Sequence, residues 1–261
     1  MILYYSPEDK NIVFKIKRKL NVYGCVVLKN FLKKDTTKKI FNYLKKNFYS
    51  HKDIRVSGPF RYLQKDYKRL DIGNSYINPR FSRFLLLTEW NKKNNKLYSN
   101  LYKVINLRNK LCKLQKKKFE YSIKGYKSYN YKWCEMIRMI QYPVGGGFLS
   151  EHNDEEVSFP KQMINVLMIL SNRGKKRTKF NNFSRGGLYY KKRNKLIDIE
   201  KIISAGDLVF HNQKIYHGVN SIDPESKINL KTLNGRVTLN FSVGKFFTER
   251  SKKQFKSGKY Y

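Results

Sequence analysis

From about residue 133 onward the chain breaks into short segments rich in aliphatic and aromatic side chains: CEMIRMIQY, MINVLMIL, GGLYY, KLIDI, DLVFHN, IYHGVNS and RVTLNFSVGKF. Gly, Asn, Pro or charged residues separate them, the punctuation of successive strands and turns. Closely spaced short strands argue against alternating βαβ units and for a sandwich or barrel. The expected fold is mainly β with flanking helices packed on a jelly-roll core.

The preceding part of the chain reads differently. GCVVL is a strand candidate bounded by Gly24 and Lys29-Asn30. In KKDTTKKIFNYLKKNF, the residues Ile40, Phe41, Leu44 and Phe48 share a helical face behind the N-cap candidates Asp35 and Thr36. Residues 50–80 are loop-rich, with SGPF and INPR as turn signals, and 81–120 read as helical with a basic, solvated face. One domain over 1–261 is expected: a helical support region (1–130), the β core (131–248) and a basic tail (249–261). The opening MILYYSPEDKNIVF lacks signal-peptide character, and no run of about 20 apolar residues follows. A cytoplasmic protein without a membrane span is the expectation. Cys25, Cys112 and Cys134 lack CxxC spacing and read as reduced thiols.

Within the β-rich part, GGGFLSEHNDEEV places His152 and Asp154 two positions apart. On an extended segment residues i and i+2 share a face, so both side chains can converge on one point. Two neutral imidazoles and a carboxylate hold ferrous iron on one face and leave positions open for a co-substrate and dioxygen. A third ligand then has to come from another histidine, and the chain has only four. His217, in GDLVFHNQKIYHGV, begins an extended piece after a short turn and is the better candidate. His211 ends the strand DLVF and reads as a hydrogen-bonded structural histidine. His51 also starts an HxD triplet, but it ends a helix, where a histidine is favourable without metal.

A dicarboxylate bound through one end needs a cation at the other, and arginine binds carboxylate bidentately in partly buried pockets. In NGRVTLNFSVG, alternation puts Arg236, Thr238, Asn240 and Ser242 on one face. Arg236 is favoured as the anchor, with Lys227 and Lys231 as alternatives.

The 56 Lys and Arg against 19 Asp and Glu give a formal charge of +37. Such a surface attracts polyanions, and KGYKSYNYKW interleaves tyrosines with lysines as stacking platforms would require. Abundant Lys, Asn, Ile, Tyr and Phe are also the drift of an A/T-rich genome. Charge alone therefore leaves a nucleic-acid partner open and not favoured.

Together, EMIRMIQYPVGGGFLSEHND, GGLYY, AGDLVFHNQKIYHGVNSI and GRVTLNFSVG resemble the iron(II)/2-oxoglutarate-dependent dioxygenase superfamily, in particular its prolyl 4-hydroxylase-like and phytanoyl-CoA dioxygenase-like members. The resemblance covers about 133–246 well and 20–45 loosely. It implies a double-stranded β-helix (cupin-like jelly roll), metal ligands His152, Asp154 and His217, and Arg236 with Thr238 on the distal carboxylate of 2-oxoglutarate. Tyr142 matches an aromatic position that contacts the co-substrate. The implied cofactors are Fe(II), 2-oxoglutarate and O2, with ascorbate as a further reductant. The implied reaction is hydroxylation of an unactivated C–H bond, with succinate and carbon dioxide as co-products.

The segment between His217 and Arg236 is longer than in many members. Members that repair alkylated bases carry a second arginine where this chain has Ser242. The implied substrate is therefore a small molecule or a peptidyl residue, with an anionic one suiting the charge. A non-catalytic basic β domain that binds RNA or another polyanion is the alternative, with its histidines buried in the core.

Overall fold

The computed structural model describes residues 1–54, 67–72, 80–88, 97–117, 120–122, 131–154, 163–175 and 182–247. The turn signal SGPF, most of KGYKSYNYKW, the acidic pair after Asp154 and the basic tail lie outside the described residues. The described elements are β1 (Ile2–Tyr4), α1 (Ile12–Tyr23), β2 (Cys25–Lys29), α2 (Lys34–Ser50), β3 (Asp53–Ile54), β4 (Tyr67–Ile72) and β5 (Arg80–Thr88). Then come α3 (Leu97–Cys112), β6 (Gln115–Lys117), β7 (Glu120–Ser122), β8 (Tyr131–Pro143), β9 (Gly147–His152), β10 (Ile164–Ile169) and β11 (Gly187–Lys192). β12 (Lys195–Asp198), a single 3-10 turn (Ile199–Lys201), β13 (Leu208–Asn212), β14 (Tyr216–Ile222) and β15 (Gly235–Phe247) complete the chain. No described helix is long and apolar enough to cross a membrane.

The strands form one curled mixed sheet along the path β1-β2-β13-β10-β15-β8-β5-β9-β14-β11-β12, the expected jelly-roll core. β8 and β15 pair along their whole length, from Gly235 opposite Pro143 to Phe247 opposite Tyr131. Alternation then separates two cores. Ile137, Met139, Leu239 and Phe241 point outward and pack with Ile16 and Leu20 of α1, Ile40, Leu44 and Phe48 of α2, and Leu101 and Val104 of α3. Tyr142 points inward, into a second cluster with Ile169, Leu188, Tyr190, Val209 and Val219. The inner face of β15 therefore carries the polar set Arg236, Thr238, Asn240 and Ser242.

Two local expectations are corrected. Residues 81–88 form a strand, not a helix: β5 lies between β4 and β8, and its run FLLL is apolar because both faces are covered, which erases the two-residue alternation. The helix in that stretch is α3. α2 starts two to three residues earlier than its cap candidates imply, with Lys33 as N-cap. Thr37 Oγ1 donates to Lys33 O, and Asp35 sits in the first turn, where a carboxylate suits the helix dipole.

Candidate metal centre

β9 and β14 are antiparallel neighbours whose register sets His152 opposite His217; β11 then sets Tyr190 opposite His217. The turn that delivers β9 needs glycine. Gly145 and Gly146 sit at φ 90 and 108, and their N–H groups both donate to Ile222 O at the end of β14, at 3.2 and 3.0 Å.

The two imidazoles lie 4.3 Å apart between ring centroids. His152 Nδ1 is 2.9 Å from Ser150 O and His217 Nδ1 is 3.1 Å from Ile215 O. A carbonyl oxygen only accepts, so each Nδ1 donates a proton and Nε2 is the ring nitrogen left to face a metal. Those Nε2 atoms stand 3.7 and 3.8 Å from the two oxygens of Asp154, beyond hydrogen-bond range. The three groups surround a gap, with one ligand atom from each within 4.8 Å of the others. Asp154 is fixed by its own N–H donating to Gln213 O at 2.9 Å and by Asn165 Nδ2 donating to its Oδ2. Burial, with His211 beside it, pushes the His217 imidazole down to about 3, so the ring is neutral. Two imidazoles oriented by backbone carbonyls, beside an oriented carboxylate, fit a divalent first-row ion such as Fe(II).

Arg236 opens β15 opposite Tyr142 and is 1% exposed. Its Nε donates to both oxygens of Glu200 at 3.1 Å, and Glu200 also accepts the Leu188 N–H at 3.0 Å. Among the described residues, the Nη2 edge has no partner, nor does the Tyr190 hydroxyl. Arg236, Asp154 and Glu200 all act electrostatically on that phenol, which burial holds well above its usual range. An unmet buried donor costs about 1–3 kcal/mol, and this pair suits an anionic group between them. Tyr142 is buried, its ring centroid 6.0 Å from the Arg236 guanidinium carbon, and burial raises its phenol too. Thr238 follows Arg236 on the same face and is also buried. Lys227 and Lys231, the alternative anchors, are exposed.

His211 lies on the same inner face. Its ring centroid is 4.5 Å from that of His217, and burial pushes its imidazole below the usual range, with a backbone hydrogen bond at Asn212 acting weakly the other way, as befits a neutral core histidine. Among the described residues, it is not part of the group able to hold a metal. His51 is the C-cap of α2, its Nδ1 2.7 Å from Asn47 O, the helix-end role its position implies. Sequence reasoning missed Tyr190, Glu200 and Asn165. An acid inside the apolar run IDIEKII was a usable signal for Glu200; the other two sit in ordinary core-strand patterns.

No family model matches the chain, and no curated protein matches it in sequence. Among solved structures it is similar to a prolyl-4-hydroxylase from Pseudomonas putida, with a TM-score of 0.57 and 14% identity over 89% of this chain and 98% of that one. A prolyl hydroxylase from Trichoplax adhaerens, in complex with a peptide fragment of a hypoxia-inducible factor degradation domain, aligns at a TM-score of 0.48 and 13% identity, over 94% of this chain and 92% of that one. At such identities the likeness is one of fold, and the chain has the fold of the iron(II)/2-oxoglutarate dioxygenases.

Proposed function

We propose that this protein is a non-haem, iron(II)- and 2-oxoglutarate-dependent dioxygenase that hydroxylates an unactivated C–H bond of a small molecule or a peptidyl residue. The observation that carries this reading is the convergence of His152, Asp154 and His217 inside the same barrel as the unpartnered Nη2 edge of Arg236. His152 and His217 supply Nε2 and Asp154 a carboxylate oxygen. Arg236, with Thr238 beside it, takes the distal carboxylate of 2-oxoglutarate, while Tyr142 and Tyr190 wall that pocket. Ferrous iron with 2-oxoglutarate and O2 supplies the oxidising power, with succinate and carbon dioxide as co-products and ascorbate as a reductant that keeps iron ferrous.

The chain's own part is placement and exclusion. The carbonyls of Ser150 and Ile215 orient the two imidazoles, Asn165 aims Asp154, and Glu200 aims Arg236. Leu188, Val209 and Ile169 of the inner cluster keep water from the reacting centre. A peptidyl substrate is supported by the fold shared with the Pseudomonas putida prolyl-4-hydroxylase. The test is an anaerobic titration of the purified protein with Fe(II) and then 2-oxoglutarate, following the visible charge-transfer band of the chelate. A saturable band that weakens in Arg236→Ala is expected. No band, with no retained iron, would sink the reading.

A further inference from the structure

Outside the barrel, the C-terminal end of α1 meets the tip of the β11–β12 hairpin. Lys192 Nζ donates to Val22 O at 2.8 Å and lies 5.2 Å from the Tyr23 ring centroid, with Lys19 Nζ at 5.8 Å from the same ring. Lys192 faces Lys195 across the hairpin and Lys191 faces Leu196, while Lys191 also pairs with Tyr216 of β14. Among the described residues, five of the ten large exposed hydrophobic side chains lie on α1, this hairpin and the start of β14: Phe14, Val22, Tyr23, Leu196 and Tyr216. Phe14, Arg18 and Val22 follow one another at i, i+4 and i+8 along the exposed side of α1. Among the described residues, Lys191 has Glu151 at 2.8 Å, but no carboxylate pairs with Arg18, Lys19, Lys192, Arg193 or Lys195.

At the hairpin tip Arg193 sits at φ 54, a left-handed conformation that costs a residue with a Cβ roughly 1–2 kcal/mol and glycine almost nothing. Replacing it by glycine therefore removes the charge without straining the turn.

We propose that this surface docks an acidic polypeptide segment carrying interspersed apolar side chains. Unneutralised cations set among exposed aliphatic and aromatic groups complement glutamate- or aspartate-rich chain with hydrophobic anchors. The alternative polyanion, single-stranded nucleic acid, binds by stacking bases on open aromatic faces. Tyr23 offers a poor platform, because two lysine ammonium groups already lie against its ring. Tyr216 and Glu151 lie on the outer face of β14 and β9, opposite the inward-facing His217 and His152 that follow them. The docking claim itself does not depend on iron.

The test is fluorescence anisotropy of the full chain with a labelled glutamate-rich peptide containing leucines, beside an oligodeoxythymidine of equal charge. The hairpin variant Lys192→Glu/Arg193→Glu/Lys195→Glu is compared with an equal charge reversal on the exposed side of α2, Lys38→Glu/Lys39→Glu/Lys45→Glu. The expected result is a loss of at least about tenfold in peptide affinity for the hairpin variant and less than about twofold for the α2 variant. Arg193→Gly is expected to raise the melting temperature and still weaken the peptide. Equal losses in both reversals would reduce the effect to diffuse net charge and overturn the proposal. So would tighter binding of the oligonucleotide that is lost in the hairpin variant, which would make this a nucleic-acid surface.

Discussion

Arg236 is a cation in an almost dry interior, and its Nε–H is taken by Glu200. Removing one partner of such a buried pair leaves an uncompensated charge and costs about 3–5 kcal/mol. Glu200→Gln is therefore expected to lower the unfolding free energy of the free protein. A dicarboxylate then becomes the main counter-charge for Arg236, so 2-oxoglutarate should raise the melting temperature of Glu200→Gln by more than it raises that of the wild type. Thermal shifts with and without 2-oxoglutarate check this, and equal increments would mean the ligand does not reach Arg236. For the metal, His152→Ala, Asp154→Ala and His217→Ala are each expected to abolish iron retention, whereas His51→Ala and His211→Ala keep it. Loss in His211→Ala with retention in His217→Ala would reverse the choice of distal ligand. These ligand candidates were legible because histidine is scarce in this chain and an HxD on an extended segment has one geometric meaning. Tyr190 and Glu200 were not, since a core tyrosine and a lone acid gain meaning only from neighbours distant in sequence.

Elements were legible where their two faces differ in polarity. β15 is buried on both faces yet alternates cleanly between polar and apolar residues, so its polar inner face could be read directly, and α2 shows its apolar stripe at the helical period. β5 has neighbours on both edges and cover on both sides, and its apolar run carried no period to read. The loop between strands matters as much as the strands at one point. Gly187 has φ 117, and a Cβ there would meet Glu200 Cγ at 2.4 Å. Since Glu200 also accepts the Leu188 N–H, the start of β11 and the anchor arginine are one mechanical unit. Gly187→Ala is expected to cost at least about 1–3 kcal/mol through backbone strain and to weaken 2-oxoglutarate binding without touching iron retention. Urea unfolding and the charge-transfer titration on the same variant check both halves. Unchanged 2-oxoglutarate affinity in a clearly destabilised variant would uncouple Gly187 from the anchor.

Over the whole molecule, a formal charge of +37 makes self-repulsion a general opponent of the compact state. Salt screens it within a Debye length of about 10 Å at 0.1 M, so the melting temperature is expected to rise between about 20 and 300 mM sodium chloride. Alkali acts on the same charge in two directions. Deprotonating lysines relieves repulsion, while buried acids that the fold keeps protonated begin to favour the unfolded chain. Cys25 is such a group: burial raises its thiol from 9.0 to about 11, with the N-terminal amine and Lys192 pulling weakly the other way. The folded state holds this proton more tightly than the unfolded one. Its contribution is thus whole below about pH 9 and disappears as the pH climbs through 11. Cys25→Ala deletes that contribution together with a buried sulfur. The stability difference between wild type and Cys25→Ala should therefore be largest near pH 8 and shrink steadily toward pH 11, as followed by urea unfolding across that range. A difference that stays constant would mean the thiolate is as well accommodated in the fold as in water, and that alkaline loss of stability is carried by the buried phenols of Tyr142 and Tyr190.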